Sequence, residues 1–188
     1  MKLYLLRHAS TSDSENSING SRTDTPLSET GLKQAQDLVS KLSENKYDLI
    51  IVSPLQRTRQ TIEPYLSSVG QGNIKIDGLT TERDLGVFTN SRKGDGKIKA
   101  DVQKQGGDRI SWKPENGESI LDVYERAKLF VQKLRTEYSE NSSILICSHK
   151  NFLRNLELLI LNRPPQDFYS DAPPLLEIGE IRGYEIEK

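Results

Sequence analysis

Cysteine, histidine, tryptophan and methionine are all scarce in this chain of 188 residues, which holds one Cys, two His, one Trp and one Met. A single cysteine, Cys147, excludes an internal disulfide. Two histidines and one cysteine, without a His-x-x-x-His spacing, are poor material for a metal site. No apolar run approaches the ~20 residues a membrane-spanning helix needs. The amino-terminal apolar run is too short for a signal peptide, and no small-residue cleavage site follows it. A formal net charge of -1 gives no bulk attraction to nucleic acid or membrane. Hydrophobic residues make up 34% and charged ones 28%, which suits a well-solvated surface with generous loops. The length suits one domain over 1–188 with a sizeable core. The expectation is a soluble, cytoplasmic protein with neither metal nor cofactor. Nothing in the pattern fixes an oligomeric state.

Scarcity gives each histidine weight, because imidazole is the side chain best suited to exchange a proton near neutral pH. His8 closes the stretch Lys2-Leu3-Tyr4-Leu5-Leu6-Arg7-His8-Ala9-Ser10-Thr11. The run up to Leu6 reads as a buried strand. It stops on a cation, an imidazole and two hydroxyls, which are poor packing material. They make sense beside an anion, since open α/β sheets bind ligands off the carboxyl ends of their strands. An ordinary surface loop also explains an Arg-His pair, so the rest of the chain must decide.

Residues 12–26 are rich in Ser, Asn, Asp and Gly and read as a long loop. Leu32, Ala35, Leu38, Val39 and Leu42 then recur at helical spacing, with Ser28 as N-cap. Asp48 to Val52 is a second buried strand. Alternating strand and helix predicts βαβ units and a mostly parallel central sheet flanked by helices. Ser53 suits an N-cap and Pro54 the first position of the next helix. Leu55, Thr58, Ile62 and Tyr65 or Leu66 mark that helix's core face, from which Arg57 points away. A cation is slightly disfavoured in a first helical turn, so Arg57 there hints at a bound anion. Arg59 competes for that role but fits a solvated surface better.

Ile74 to Ile76 is a short strand candidate, and the polar segment Leu79 to Gly86 follows it. Residues 90–114 carry glycines and cations and read as an excursion near the site. The Gly94-Asp95-Gly96-Lys97 piece lacks the strand, spacing and hydroxyl of a P-loop. Glu118 to Tyr138 is the clearest helix, and Ser142 to Ser148 a third buried strand ending on His149. Phe152 to Leu161 is apolar nearly all round and should be buried. Leu175 to Ile178 and Gly183 to Ile186 read as closing strands, paired as a hairpin.

Both histidines therefore follow directly on buried strands, Arg57 follows another and Glu82 a fourth. In a parallel sheet these ends share one edge, so Arg7, His8, Arg57, Glu82 and His149 converge. A Cys147–His149 dyad is the weaker option, because a thiol inside an apolar strand is buried and inert. Phosphoryl transfer fits best. Arginine grips phosphate oxygens with permanent charge and paired donors. A neutral imidazole can attack phosphorus and carry the phosphoryl group. A second imidazole can hydrogen-bond the transferring oxygens, and a carboxyl group can protonate the leaving oxygen. With cations neutralising the phosphoryl oxygens, no metal is required.

These residues stand in segments that resemble the histidine phosphatase superfamily, the phosphoglycerate mutase-like proteins. The segments are Leu6-Arg7-His8-Ala9 with Thr11, Asp24-Thr25-Pro26-Leu27-Ser28-Glu29-Thr30-Gly31 with Gln34-Ala35, and Ser53-Pro54-Leu55-Gln56-Arg57-Thr58-Arg59-Gln60-Thr61. Glu82-Arg83-Asp84-Leu85-Gly86, Gly117-Glu118-Ser119 and Ser148-His149 complete the order over about three quarters of the chain. The resemblance implies a phosphoglycerate mutase-like three-layer sandwich. It selects Arg57 over Arg59. It implies that His8 is the phosphorylated nucleophile, that Glu82 is general acid and then base, and that Arg7, Arg57 and His149 form the phosphate pocket. Thr11, Asn16 and Lys150 are the expected further contacts of a small phosphorylated substrate. Three departures stand out: Ala9 and Lys150 replace the usual glycines after the two histidines, and Ser14 stands where an Asn is common. Asn16 or Asn19 would then take the place of that Asn. The expected activity is phosphomonoester hydrolysis. Mutase-type transfer comes second, because the segment Thr89 to Trp112 is short. A silent phospholigand-binding module comes third.

Overall fold

The computed structural model describes residues 1–70, 72–170 and 173–187. Its centre is a five-stranded sheet in the order β3-β2-β4-β1-β5. The strands are β1 (Lys2–Arg7), β2 (Leu49–Val52), β3 (Ile74–Ile76), β4 (Ser143–Ser148) and β5 (Ile181–Glu185). The first four run parallel, and β5 pairs antiparallel with β1. The continuous apolar runs are explained by their burial on both faces: Leu3, Leu5, Leu6, Val52, Ile144, Leu145, Ile146 and Cys147 are all 0% exposed.

Alternation along each strand sends neighbouring side chains to opposite layers. Leu3, Leu5, Leu49, Ile51, Ile144 and Ile146 pack on α5 (Ile120–Glu137) and α6 (Lys150–Ile160), against Val123, Phe130, Phe152 and Leu156. Leu6, Ile50, Val52, Leu145 and Cys147 pack on α2 (Glu29–Leu42) and α3 (Gln56–Ser68), against Leu38, Leu42, Ile62 and Tyr65. This is the three-layer α/β sandwich. Two short helices, α1 (Ser12–Glu15) and α4 (Lys97–Lys104), lie in the connections. Among the described residues, no helix is long and apolar enough to cross a membrane.

Register decides where the strand ends fall. Arg7 pairs with Ser148, and Cys147 sits between Leu6 and Val52. His8, His149 and Ser53 therefore leave the sheet side by side.

Several details differ from the pattern read along the chain. Ser28 does cap α2, accepting from Gly31 N, but Leu32 is 50% exposed. The buried stripe runs through Gly31, Ala35, Leu38 and Leu42 instead. Gly31 takes the inward place because its backbone presses on the chain after His8; a Cβ there would lie 2.0 Å from Ser10 O. Ser53 does not cap α3, whose N-cap is Leu55 without a side-chain bond. Asp24 Oδ1 accepts from Gln56 N at 2.5 Å and does that work from across the loop. In α6 every residue from Phe152 to Leu158 is buried, as expected, yet three of them, Arg154, Asn155 and Glu157, are polar. Leu175 to Ile178 is not a strand. Its backbone is spent otherwise: Leu176 O accepts from Arg7 Nη1, and Glu180 N donates to Glu177 O in a turn.

Candidate active site

A cleft of about 360 Å³ opens over the carboxyl edge of the sheet. Arg7, His8, Arg57 and Glu82 line it, together with Thr11 and Lys150.

His8 is 8% exposed. Its backbone N–H donates to Ser148 O at 3.0 Å, which ties the residue to the end of β4. Its Nδ1 lies 2.7 Å from Ala9 O. A carbonyl can only accept, so Nδ1 carries the proton and Nε2 keeps a free lone pair. Burial, then the Arg57 charge, pushes the His8 imidazolium down to a pKa of about 3. His8 is thus a neutral imidazole with a defined tautomer.

His149 lies one layer back. It is 0% exposed, does not line the cleft, and its ring centre is 5.1 Å from that of His8. Nδ1 accepts from Arg57 Nε at 3.2 Å, so Nε2 bears the proton and donates to Ser53 Oγ at 2.7 Å. Burial holds its pKa well below the ordinary value, with Arg57 adding to the effect. Both ring nitrogens are engaged. The expected direct contact from His149 to a phosphate is therefore replaced, in this geometry, by contact through Arg57.

Arg57 is 5% exposed and is clasped on three sides. Besides Nε to His149, Nη1 donates to Thr23 O at 2.7 Å and Nη2 to Ser21 O at 2.9 Å. One N–H on each Nη is left for a ligand, out of the five that a guanidinium carries. Arg7 donates from Nη1 to Leu176 O, and its buried Nε has no partner among the described residues. Burial lowers both guanidinium pKa values, and Glu82 pulls each back up.

Glu82 follows β3 through a short 3-10 turn, Gly78–Thr80. Its Oε1 accepts from Arg83 N at 2.7 Å and from Asn151 N at 3.2 Å. The start of α6 thereby fixes the carboxylate. Gly86, four residues on, has φ +50, and a Cβ would lie 1.9 Å from Glu115 O. Only glycine lets this segment fold so closely on the 115–117 backbone.

Thr11 caps α1, accepting from Ser14 N at 3.2 Å. Lys150 begins α6 at the rim; burial, then Arg7, lowers its pKa. Asn16 does not join them. It is exposed, and its Nδ2 donates to Ser12 O. Asn19 and Ser14 line the cleft instead. Cys147 is fully buried and its thiol is pushed far up by burial, which removes the Cys–His dyad.

Several functional residues escaped reading in one dimension. Thr61 Oγ1 accepts from Ala9 N at 2.9 Å, Gln34 Oε1 from Ser10 N at 2.9 Å, and Gln60 Oε1 from Leu27 N at 2.8 Å. These side chains hold the backbone around the nucleophile. Their regular place within the quoted segments was the available signal. Arg83, Lys93, Arg109, Trp112 and Tyr169 also line the cleft.

A neutral imidazole between two guanidiniums, with a carboxylate opposite them, defines a phosphoryl-transfer site on an α/β sandwich. Comparison with known proteins gives the family. The model of the histidine phosphatase superfamily (branch 1) matches residues 3–185, and the chain belongs to that superfamily. It is 27% identical over 169 residues to the adenosylcobalamin/alpha-ribazole phosphatase of Escherichia coli, covering 88% of this chain and 82% of that protein. It is 30% identical over 162 residues to a 2,3-bisphosphoglycerate-dependent phosphoglycerate mutase of Mesorhizobium japonicum, covering 82% of this chain and 78% of that one. The alpha-ribazole phosphatase structure from Shigella flexneri superposes with TM-score 0.88 at 25% identity, over 100% of this chain and 92% of that one.

Proposed function

We propose that this chain is a single-domain, metal-independent phosphomonoester hydrolase that works through a phosphohistidine on His8. The observation that carries the reading is the bond from His8 Nδ1 to Ala9 O. It leaves Nε2 as a lone-pair nucleophile beside Arg7 and Arg57, both with unspent donors.

The reaction runs in two displacements. Nε2 attacks phosphorus as the ester P–O bond breaks, and Glu82 in its acid form gives the leaving oxygen its proton. The guanidiniums hold the charge on the remaining phosphoryl oxygens, so the reading needs no metal ion. Glu82, now a carboxylate, takes a proton from water. The resulting hydroxide attacks phosphorus, the P–N bond breaks, and its electron pair returns to Nε2. His149 serves as a positioning residue that aims Arg57. Thr11 and Lys150 contact the substrate, a small phosphorylated molecule. A cytoplasmic setting belongs to the same proposal.

Hydrolysis of p-nitrophenyl phosphate, lost in His8→Ala, and acid-labile label on His8 after brief reaction with a labelled ester are the expected results. Hydrolysis that persists in His8→Ala refutes the reading. The second reading is mutase-type transfer, favoured by the likeness to the Mesorhizobium mutase. Incubation with 3-phosphoglycerate and its bisphosphate primer separates them, since isomer formation without phosphate release identifies a mutase.

A further inference from the structure

We propose that Arg109, placed over the Tyr169 ring in the cleft wall, recognises a second anionic group, a carboxylate or a further phosphate, on the phosphomonoester substrate. The proposal rests on the hydrolase reading and adds the class of substrate.

The cleft has far more room than one phosphoryl group fills. At about 360 Å³ it is the size of a pocket for a whole metabolite. Part of its lining is apolar: Leu85, Trp112, and Ile98 and Val102 of α4. A carbon skeleton fits against such a wall.

Charge in the cleft is out of balance. Six cations line it, Arg7, Arg57, Arg83, Lys93, Arg109 and Lys150, against two carboxylates, Asp13 and Glu82. Asp13 is spent on the Thr23 and Thr25 hydroxyls, and Glu82 on two backbone N–H groups. Arg83 is spent on Glu118 O and Trp112 O. Arg7 and Arg57 flank the nucleophile. A phosphomonoester thus leaves other cations unmatched.

Arg109 is the one built for recognition. Its guanidinium carbon sits 3.8 Å from the Tyr169 ring centre. No acceptor among the described residues takes any of its N–H groups. The neighbouring carboxylate is not its counterion. Asp108 accepts from Ile110 N at 3.0 Å and from the Ser111 N and Oγ. The segment that carries the ring is tied down, while the ring itself is 44% exposed and open to the cleft. Tyr169 ends the turn Pro165–Tyr169, whose backbone is gripped by the buried Arg154 through Asp167 O at 3.0 Å and Phe168 O at 3.1 Å. Phe168, 4% exposed, packs against the Tyr169 ring at 4.9 Å. A guanidinium placed over a ring on a tied-down segment loses less freedom when it binds, and its fork offers paired donors to a carboxylate or phosphate.

The test uses matched pairs that differ only by carboxylate against hydroxymethyl: 3-phosphoglycerate with glycerol 3-phosphate, and 6-phosphogluconate with glucitol 6-phosphate. Calorimetric affinities are measured on His8→Ala, which does not turn over, with and without Arg109→Gln. In at least one pair the acid is expected to bind about 10- to 100-fold tighter, the span of one charge-assisted contact. R109Q is expected to bring that ratio close to one. Equal affinities in both pairs, or a preference that survives R109Q, overturn the assignment. Hydrolysis of p-nitrophenyl phosphate by the wild-type protein, compared with His8→Ala, reports separately on the hydrolase reading.

Discussion

His8 should make the folded protein sensitive to acid well above the pH at which carboxylates titrate. Its ordinary pKa of 6.5 falls to about 3 in the folded chain, because burial and Arg57 oppose a second proton. The sign follows from linkage. Above 6.5 neither state takes the proton, so His8 has no effect on stability. Below 6.5 the unfolded chain binds a proton that the folded chain refuses until about pH 3, so stability is lost as pH falls through that window. At about pH 5 the unfolded state is ahead by 1.5 pH units, which at roughly 1.4 kcal/mol per unit is about 2 kcal/mol. Urea unfolding, followed by circular dichroism at about pH 7.5 and about pH 5, measures this directly. Wild type should lose about 2 kcal/mol more than His8→Gln across that interval. His149 is held well below its ordinary value chiefly by burial and Arg57, which both proteins keep, so the difference between them reports mainly on His8. Equal losses would refute the claim that the folded protein holds His8 neutral. The same shift keeps Nε2 available as a nucleophile throughout mildly acidic pH, so an acid limb in the rate profile has to come from another group.

Thr61→Val keeps the shape of a side chain that is 0% exposed but strands the Ala9 N–H. It should cost about 1–3 kcal/mol in urea unfolding and lower kcat, with Thr61→Ser restoring both. Arg57→Lys keeps the charge but loses the clasp to Ser21 O, Thr23 O and His149. Steady-state kinetics on an aryl phosphate should show kcat/KM down by about 100-fold, and a near-normal value would remove Arg57 from the phosphate pocket. Arg154→Met takes the guanidinium away from Glu157, which is itself 0% exposed, and from the carbonyls of the 167–173 segment. Glu157 keeps its ion pair with Arg182, so the cost is that of buried carbonyls left without a donor, about 1–3 kcal/mol, read as a lowered thermal midpoint, and adding Glu157→Gln, which also takes the partner from Arg182, should deepen the loss.

The α/β class was legible because parallel strands buried on both faces must be apolar without interruption, and three runs in this chain, those of β1, β2 and β4, are nearly so. The strand-end placement of His8 and His149 was legible for the same reason, since each follows such a run, whereas Glu82 follows the short edge strand β3, whose Ile74 and Ile76 are exposed. The order of the quoted segments added the choice of Arg57 over Arg59. Partner choice was not legible. Ser53 has the chemistry of a helix cap, yet the β2–β4 register puts its hydroxyl beside His149, and that bond prevails. Asn16 and Asn19 are alike in sequence. The turn after α1 sends one outward and the other into the cleft. Leu32 keeps helical period but lies outside the stripe fixed by Gly31 against Ser10. Local pattern, then, dictated which segments are strands and helices and which residues stand at their ends, since those depend on neighbours along the chain. Only the folded arrangement decided which hydrogen bond each polar group makes, and left Arg109 over its aromatic ring with no acceptor among the described residues, because a donor's competing acceptors are neighbours in space.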